Sequence, residues 1–392
     1  ELEMPASGEE NDQAIVEAVK RGELEESVLD RAVERILRVV FRARKAADEK
    51  AVYDREEHND FAAMAAAECM VLLKNEKRLL PLKKGARICI LGEMAEKTRY
   101  QGGGSSHVTT GREGSVLEEL GRKGIEFSYA RGYSLEGEKD ESLLCEAAKL
   151  AAESEIAVVV AGLPDSYETE SRDRVSMKMP EGHIALITEA AKVNRNVVVV
   201  LINGAPVEMD WEMRVCGILE AYLGGQASAK EIADILCGDV NPSGKLAETF
   251  PAKLQDNPSY LNYGMDTYEV DYREGIYVGY RYYDKKEMNV RYPFGYGLSY
   301  TDFEYGRASV DKKEIREGEE IKISLRIRNA GQVFGKEVVQ LYVEPEDSRN
   351  RPLRELKGFC KIALKPGEEK EVCFTIGERD LSYYSAELGA WR

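Results

Sequence analysis

The chain has 392 residues, 43% of them hydrophobic and 8% aromatic, enough apolar content for two or three packed domains, which excludes a disordered protein. Its 71 acidic residues against 55 lysines and arginines give a formal net charge of -16 with no basic block, which argues against a nucleic-acid partner and suits a neutral or small substrate. No stretch approaches the roughly 18 apolar residues of a membrane span, and the first residues carry no signal-peptide pattern, so no membrane partner is expected.

In chain order, the first strong signal lies between residues 26 and 46. Apolar residues fall there at Val28, Leu29, Ala32, Val33, Ile36, Leu37, Val40 and Phe41, a wide stripe on a helix opened by Ser27 with Asp30 three residues on. Such a stripe needs a partner surface, and a helical hairpin packed on the next domain is one way to supply it. Residues 48–60 are charged and irregular and read as a linker. A helix follows over residues 62–73. Strand-like runs at 87–92, 156–162, 197–203 and 217–222 then alternate with helix-like runs at 142–152, 183–193 and 229–236. This alternation predicts an α/β three-layer (αβα) sandwich with a mainly parallel sheet, over residues 61–250. Residues 251–300 read as an interdomain connection. Past residue 301 the pattern becomes period two, as in Ile-Lys-Ile-Ser-Leu-Arg-Ile-Arg over 321–328, which predicts an all-β antiparallel sandwich over 301–392.

Two loops in the α/β region carry candidate chemistry. Residues 166–174, Ser-Tyr-Glu-Thr-Glu-Ser-Arg-Asp-Arg, follow the apolar strand run at 156–163. Glu168 and Glu170 therefore lie at a strand's carboxyl end, where open α/β sheets place their sites. In so acidic a chain a purely solvated loop is the alternative. The run Gly102-Gly103-Gly104-Ser105-Ser106 comes soon after the first predicted strand of that alternation, where glycines admit a ligand close to the backbone and serines can bond hydroxyls. It lacks the G-x-G-x-x-G spacing of a dinucleotide site, and a tight turn with solvent-facing serines is its alternative reading.

The three histidines, His58, His107 and His183, stand apart with no second ligand at metal spacing, so no metal and no cofactor is expected; His107 alone lies beside the glycine-rich run. Seven widely spaced cysteines without a C-x-x-C pair point to a reducing, cytoplasmic setting. Tyr280, Tyr282, Tyr283, Tyr292 and Tyr296 read as packing at a domain junction rather than as rings stacking on a ligand.

Taken together, several segments resemble glycoside hydrolase family 3 in the same order. Glu170-Ser171-Arg172-Asp173-Arg174, closing at Pro180, resembles the family's acid/base loop pattern Glu-(Gly/Ser)-x-Asp-Arg. Val71-Leu72-Leu73-Lys74-Asn75-Glu76 is similar to the entry of its second domain, and Tyr100-Gln101-Gly102-Gly103-Gly104-Ser105-Ser106 to its substrate loop. Asn203-Gly204-Ala205-Pro206, Asn241-Pro242-Ser243-Gly244-Lys245, Val278-Gly279-Tyr280-Arg281 and Pro293-Phe294-Gly295-Tyr296-Gly297 continue the likeness. The resemblance implies that residues 1–47, with Leu2-Glu3-Met4-Pro5, end a (β/α)8 barrel whose remainder is not in this chain. It implies too that 301–392 is a fibronectin-III-like domain short of its last strand.

For function, the resemblance implies a retaining β-glucosidase-type enzyme acting on a β-glycoside or oligosaccharide. Such enzymes use two carboxyl groups about 5–5.5 Å apart. The family's nucleophile is an Asp on a barrel strand, so this chain would hold only the general acid, Glu170, with Glu168 the runner-up, and would be inactive alone. Ser105, with Gly104 and Ser106, would meet the sugar. Asp173 is expected to pair with Arg172 or Arg174 and hold the loop. A β-xylosidase or α-arabinosidase specificity, or a non-catalytic sugar-binding or regulatory subunit, stays open. The Glu170 motif argues against the family's N-acetylglucosaminidase branch. The missing barrel, covalent or in trans, is the expected partner, and self-association through the apolar stripe is a further one.

Overall fold

A computed structural model describes residues 2, 8–48, 51–134, 136–264 and 268–392, and the chain divides into two compact units, through Arg55 and from Glu56 onward. The first holds α1 (Glu9–Lys20) and α2 (Glu26–Ala46), and neither helix buries a residue. The apolar stripe of α2 is exposed, with Phe41 at 62%. The capping box expected at Ser27 does not form: the helix starts at Glu26, and the Ser27 hydroxyl donates to the Glu25 carboxylate at 3.2 Å instead. Glu3, Met4 and Pro5, part of the barrel resemblance, lie outside the described residues.

At the boundary starts α3 (Arg55–Cys69), all but its first residue in the second unit; it begins inside the span read as a linker and ends sooner than the sequence pattern predicts. Residues predicted to continue that helix form β1 (Val71–Asn75) instead. The reason is tertiary. Val71, Leu72 and Leu73 are buried because β1 pairs antiparallel with β6 (Gly217–Glu220), and Leu72 is bridged on its other side by Leu298. Burial on both faces with ladder partners outweighs a modest helix propensity.

Along the chain follow β2 (Ile88–Leu91), α4 (Val116–Arg122), β3 (Phe127–Ala130), α5 (Glu141–Glu153), β4 (Ile156–Gly162), α6 (Glu181–Val193), β5 (Val197–Ile202) and α7 (Ser228–Cys237). The sheet order is β1-β6-β5-β4-β2-β3, parallel except at β1. β4 and β5 are buried along their whole lengths, as the apolar runs demand of central parallel strands. β4 and β5 run so close that a Cβ on Gly162 would lie 1.9 Å from the Ile202 carbonyl oxygen. The αβα sandwich read from the sequence is the observed fold. β3 and α4 are additions that its short, mixed segments did not announce.

After α8 (Tyr280–Lys285) come β7 (Phe303–Tyr305), β8 (Ser309–Val310), β9 (Glu320–Asn329), β10 (Gly335–Val343), β11 (Glu355–Leu364) and β12 (Glu369–Gly377), all antiparallel. β10–β11 and β12-β9-β7 pack around Ile327, Val339, Leu364 and Val372, an all-β fibronectin-III-like sandwich. Asn241 ties it to the αβα sandwich: its amide donates to the Phe334 carbonyl at 2.9 Å, and its oxygen accepts from the Ser299 hydroxyl and the Tyr300 N–H. The junction tyrosines pack. The Tyr280 ring stacks on Phe294 with centroids 4.8 Å apart, and its hydroxyl accepts from the Leu356 N–H at 2.8 Å.

Candidate active site

Because β2 and β4 are neighbours in a parallel sheet, the loops leaving their carboxyl ends emerge side by side. They join through a parallel bridge between Gly103 and Thr169. The Gly103 N–H donates to the Glu168 carbonyl at 3.0 Å, and the Glu170 N–H donates back to the Gly103 carbonyl at 3.4 Å. Only glycine permits this approach. A Cβ on Gly103 would meet the Thr169 hydroxyl at 2.7 Å, and one on Gly104, whose φ is +87°, would meet the Glu170 Cβ at 2.6 Å.

The bridge delivers Ser105 to Glu170. The Ser105 N–H donates to Glu170 Oε2 at 2.8 Å and its hydroxyl donates to the same oxygen. These bonds favour the charged form and hold the exposed carboxyl below its ordinary value, the hydroxyl contributing most. Ser106 turns away, its hydroxyl donating to the Gly102 carbonyl at 3.0 Å. Directly after Glu170 the chain reverses at Ser171, at φ +66°, a left-handed position that explains why glycine suits this place in the motif.

Glu168 faces elsewhere. Its carboxylate accepts from Arg99 Nη1 at 2.6 Å, from the Gly204 N–H at 2.9 Å and from the Ala205 N–H at 3.0 Å. Arg99 also holds the Leu163 carbonyl and the Asp165 carboxylate, each at 2.7 Å. His107 lies at the same edge, its Nε2 3.6 Å from Asp165. Within electrostatic reach of Glu168, burial pushes the Glu248 carboxyl up to about 7; Arg174 opposes that shift and the charge of Glu168 adds to it. Glu220 is fully buried, its carboxyl raised well above the ordinary range by desolvation, and it accepts from the Asn203 amide at 3.2 Å and the Tyr222 N–H.

Asp173 departs from expectation. It is bonded by the Tyr263 hydroxyl rather than by an arginine. Arg174 turns inward instead, donating to the Pro206 carbonyl at 3.1 Å and lying 4.0 Å from Glu168. The competing pull comes from the largely buried Glu168, where the dielectric is lower than at the exposed Asp173. Arg99, Asp165, Glu220 and Glu248 were not singled out from the sequence. Only Asn203-Gly204-Ala205-Pro206, noted as a motif without a role, marked where the Glu168 carboxylate would be received. Among the described residues no group of three or more His, Cys, Asp or Glu is arranged to hold a metal ion, and no helix is long and apolar enough to cross a membrane.

An αβα sandwich with an acidic loop bonded to a glycine–serine loop at its carboxyl edge, joined to a fibronectin-III-like sandwich, is the class of architecture this chain presents. Residues 70–300 match the glycosyl hydrolase family 3 C-terminal domain and residues 337–392 the fibronectin type III-like domain, and the chain belongs to glycoside hydrolase family 3. It is 52% identical over 396 residues to thermostable beta-glucosidase B of Acetivibrio thermocellus, covering 100% of this chain and 52% of that protein. It is 39% identical over 403 residues to an exo-alpha-(1->6)-L-arabinopyranosidase of Bifidobacterium longum, covering 100% of this chain and 53% of that one. Among solved structures, the GH3 beta-glucosidase of Bifidobacterium adolescentis superposes with a TM-score of 0.90 at 37% identity, over 98% of this chain and 57% of that one. The chain thus spans about half the length of the curated relatives it matches.

Proposed function

We propose that these residues form the acid/base-bearing part of a retaining β-glycosidase that releases terminal, non-reducing β-D-glucosyl residues. The observation that carries this reading is the joining of the glycine–serine loop to Glu170 through Ser105. It places an exposed carboxylate beside hydroxyl and amide groups able to bond a sugar.

In double displacement, one carboxylate attacks the anomeric carbon while the other group protonates the leaving oxygen, then takes a proton from the incoming water. Glu170 is proposed for the second role. The nucleophile is proposed to come from outside these residues, on the family's barrel, and the exposed stripe of α2 to face that barrel. The Ser105 bonds hold Glu170 in its charged form here, the state that accepts a proton in the second step. A second carboxylate nearby, with the Ser105 hydroxyl transferred to a substrate oxygen, would raise it into the acid role of the first. Glu168 suits that role poorly, because one guanidinium and two amides already saturate its carboxylate.

The test uses this chain together with the family's barrel, fused or in trans. Glu170→Ala should slow phenyl glucosides by about 10²-fold or more and dinitrophenyl glucosides far less, since acid assistance matters when the leaving group needs a proton. Azide should partly restore turnover. If Glu168→Ala gives this pattern and Glu170→Ala does not, the assignment is wrong, and turnover by the 392-residue chain alone would refute an external nucleophile. The likeness to an arabinopyranosidase supports a second reading, a pentopyranose as the sugar released, which a panel of aryl β-glucosides, β-xylosides and α-L-arabinosides decides.

A further inference from the structure

The Glu168 side chain is only 11% exposed, and its carboxylate accepts from Arg99 and from two backbone amides. Arg99, itself 6% exposed, holds the Glu168 carboxylate at 2.6 Å and the Glu168 carbonyl at 3.2 Å, while the rest of its fork holds the Leu163 carbonyl and Asp165. The segment from the end of β4 to Glu168 is therefore wrapped around one guanidinium. On the far side the Gly204 and Ala205 amides, just past the end of β5, anchor the same carboxylate at 2.9–3.0 Å. A Cβ on Gly204 would come within 3.4 Å of it. The next two residues, Thr169 and Glu170, are the ones that pair with Gly103 and reach Ser105.

We propose that Glu168 is a positioning residue. By clamping its carboxylate between Arg99 and the Gly204–Ala205 amides, it sets the register of residues 168–170 against Gly103 and so presents Glu170 to Ser105. The clamp joins the ends of three neighbouring strands, β2 through the Arg99 loop, β4 through its own loop and β5 through the Gly204 turn. Charge-assisted bonds to a nearly buried carboxylate are the strong kind, and removing Glu168 would leave the buried Arg99 with only the half-exposed Asp165 carboxylate as counter-charge. The proposal rests on the reading of Glu170 as the proton-transferring group, but its test does not require turnover.

The 392-residue chain, labelled with carboxyl-13C glutamate, is compared with Glu168→Ala, Glu168→Gln and Glu170→Ala by NMR titration and by amide hydrogen exchange. Glu168→Ala should raise exchange at Gly103, Gly204 and Ala205 at least tenfold and return the Glu170 titration toward the free carboxylate range. That second change is one a purely structural residue would not produce. Glu168→Gln, which keeps one acceptor oxygen, should fall between, and Glu170→Ala should leave Gly204 and Ala205 protected. A folded Glu168→Ala chain with an unchanged Glu170 titration overturns the proposal. If Glu168→Ala does not fold, Glu168→Gln decides by the same two readouts. Should Glu168→Ala loosen the loop while Glu170→Ala leaves glycoside turnover intact, the clamp stands and the Glu170 assignment falls.

Discussion

Ser105 places two donors, its hydroxyl and its backbone N–H, on a single carboxylate oxygen of Glu170, across 65 residues of sequence. Both bonds stabilise the charged carboxylate, and a group whose folded value is depressed adds stability above its unfolded value and loses it as pH falls through the folded one. Ser105→Ala removes the larger contribution and keeps the backbone one. The Glu170 titration should therefore move up toward the ordinary carboxylate range without reaching it, as read by carbon-13 NMR. An unmoved titration would show that the hydroxyl is not bonded to Glu170.

Gly104 tests the close approach of the two loops. Alanine there faces a left-handed backbone at φ +87° and a Cβ only 2.6 Å from the Glu170 Cβ, an atom too near the main chain to swing aside. Strain on the order of 1–3 kcal/mol is expected, released locally by parting the loops. Gly104→Ala should raise amide exchange at Gly103 and Glu170 while leaving the central strand β4 protected. Unchanged exchange at both amides would contradict the bridge.

Gly162 sits where β4 passes closest to β5, and the obstacle to a side chain is the Ile202 backbone rather than a flexible group. Overpacking a core of this kind costs about 1–3 kcal/mol, and a backbone obstacle points to the upper end. Gly162→Ala should lower the urea midpoint of the αβα domain accordingly. Gly121, which has nothing within 4 Å of its added Cβ, is the control.

Glu248 gives a pH dependence of opposite sign to Ser105 and Glu170. Its carboxyl, at about 7 in the folded chain against an ordinary 4.5, prefers to be protonated when buried. The stability this proton brings is complete below the unfolded value, declines between about 4.5 and 7, and is absent above. Glu248→Gln mimics the protonated form. It should leave the urea midpoint near that of the unmodified chain at pH 4.5 and raise it at pH 8. Equal differences at the two pH values would rule out the assigned shift.

Much of the architecture was legible because burial on both faces of a parallel strand leaves a continuous apolar run, as at 156–162 and 197–202, and a half-buried antiparallel strand leaves alternation, as at 321–328. β1 was not. Val71-Leu72-Leu73 suits a helix as well as a strand, and pairing with β6, residues 217–220, decides between them.

By itself, the sequence determined the order of layers and the chemical character of the two loops, since these depend on residue type and local periodicity. It placed Glu168 and Glu170 two residues apart with nothing to separate their surroundings. Only the tertiary structure decided that Arg99 and the turn after β5 take Glu168, that Ser105 takes Glu170, and that Tyr263 rather than an arginine takes Asp173. Those choices are made by donors distant in the chain and brought together by strand order, and short-range sequence patterns carry no record of such pairings.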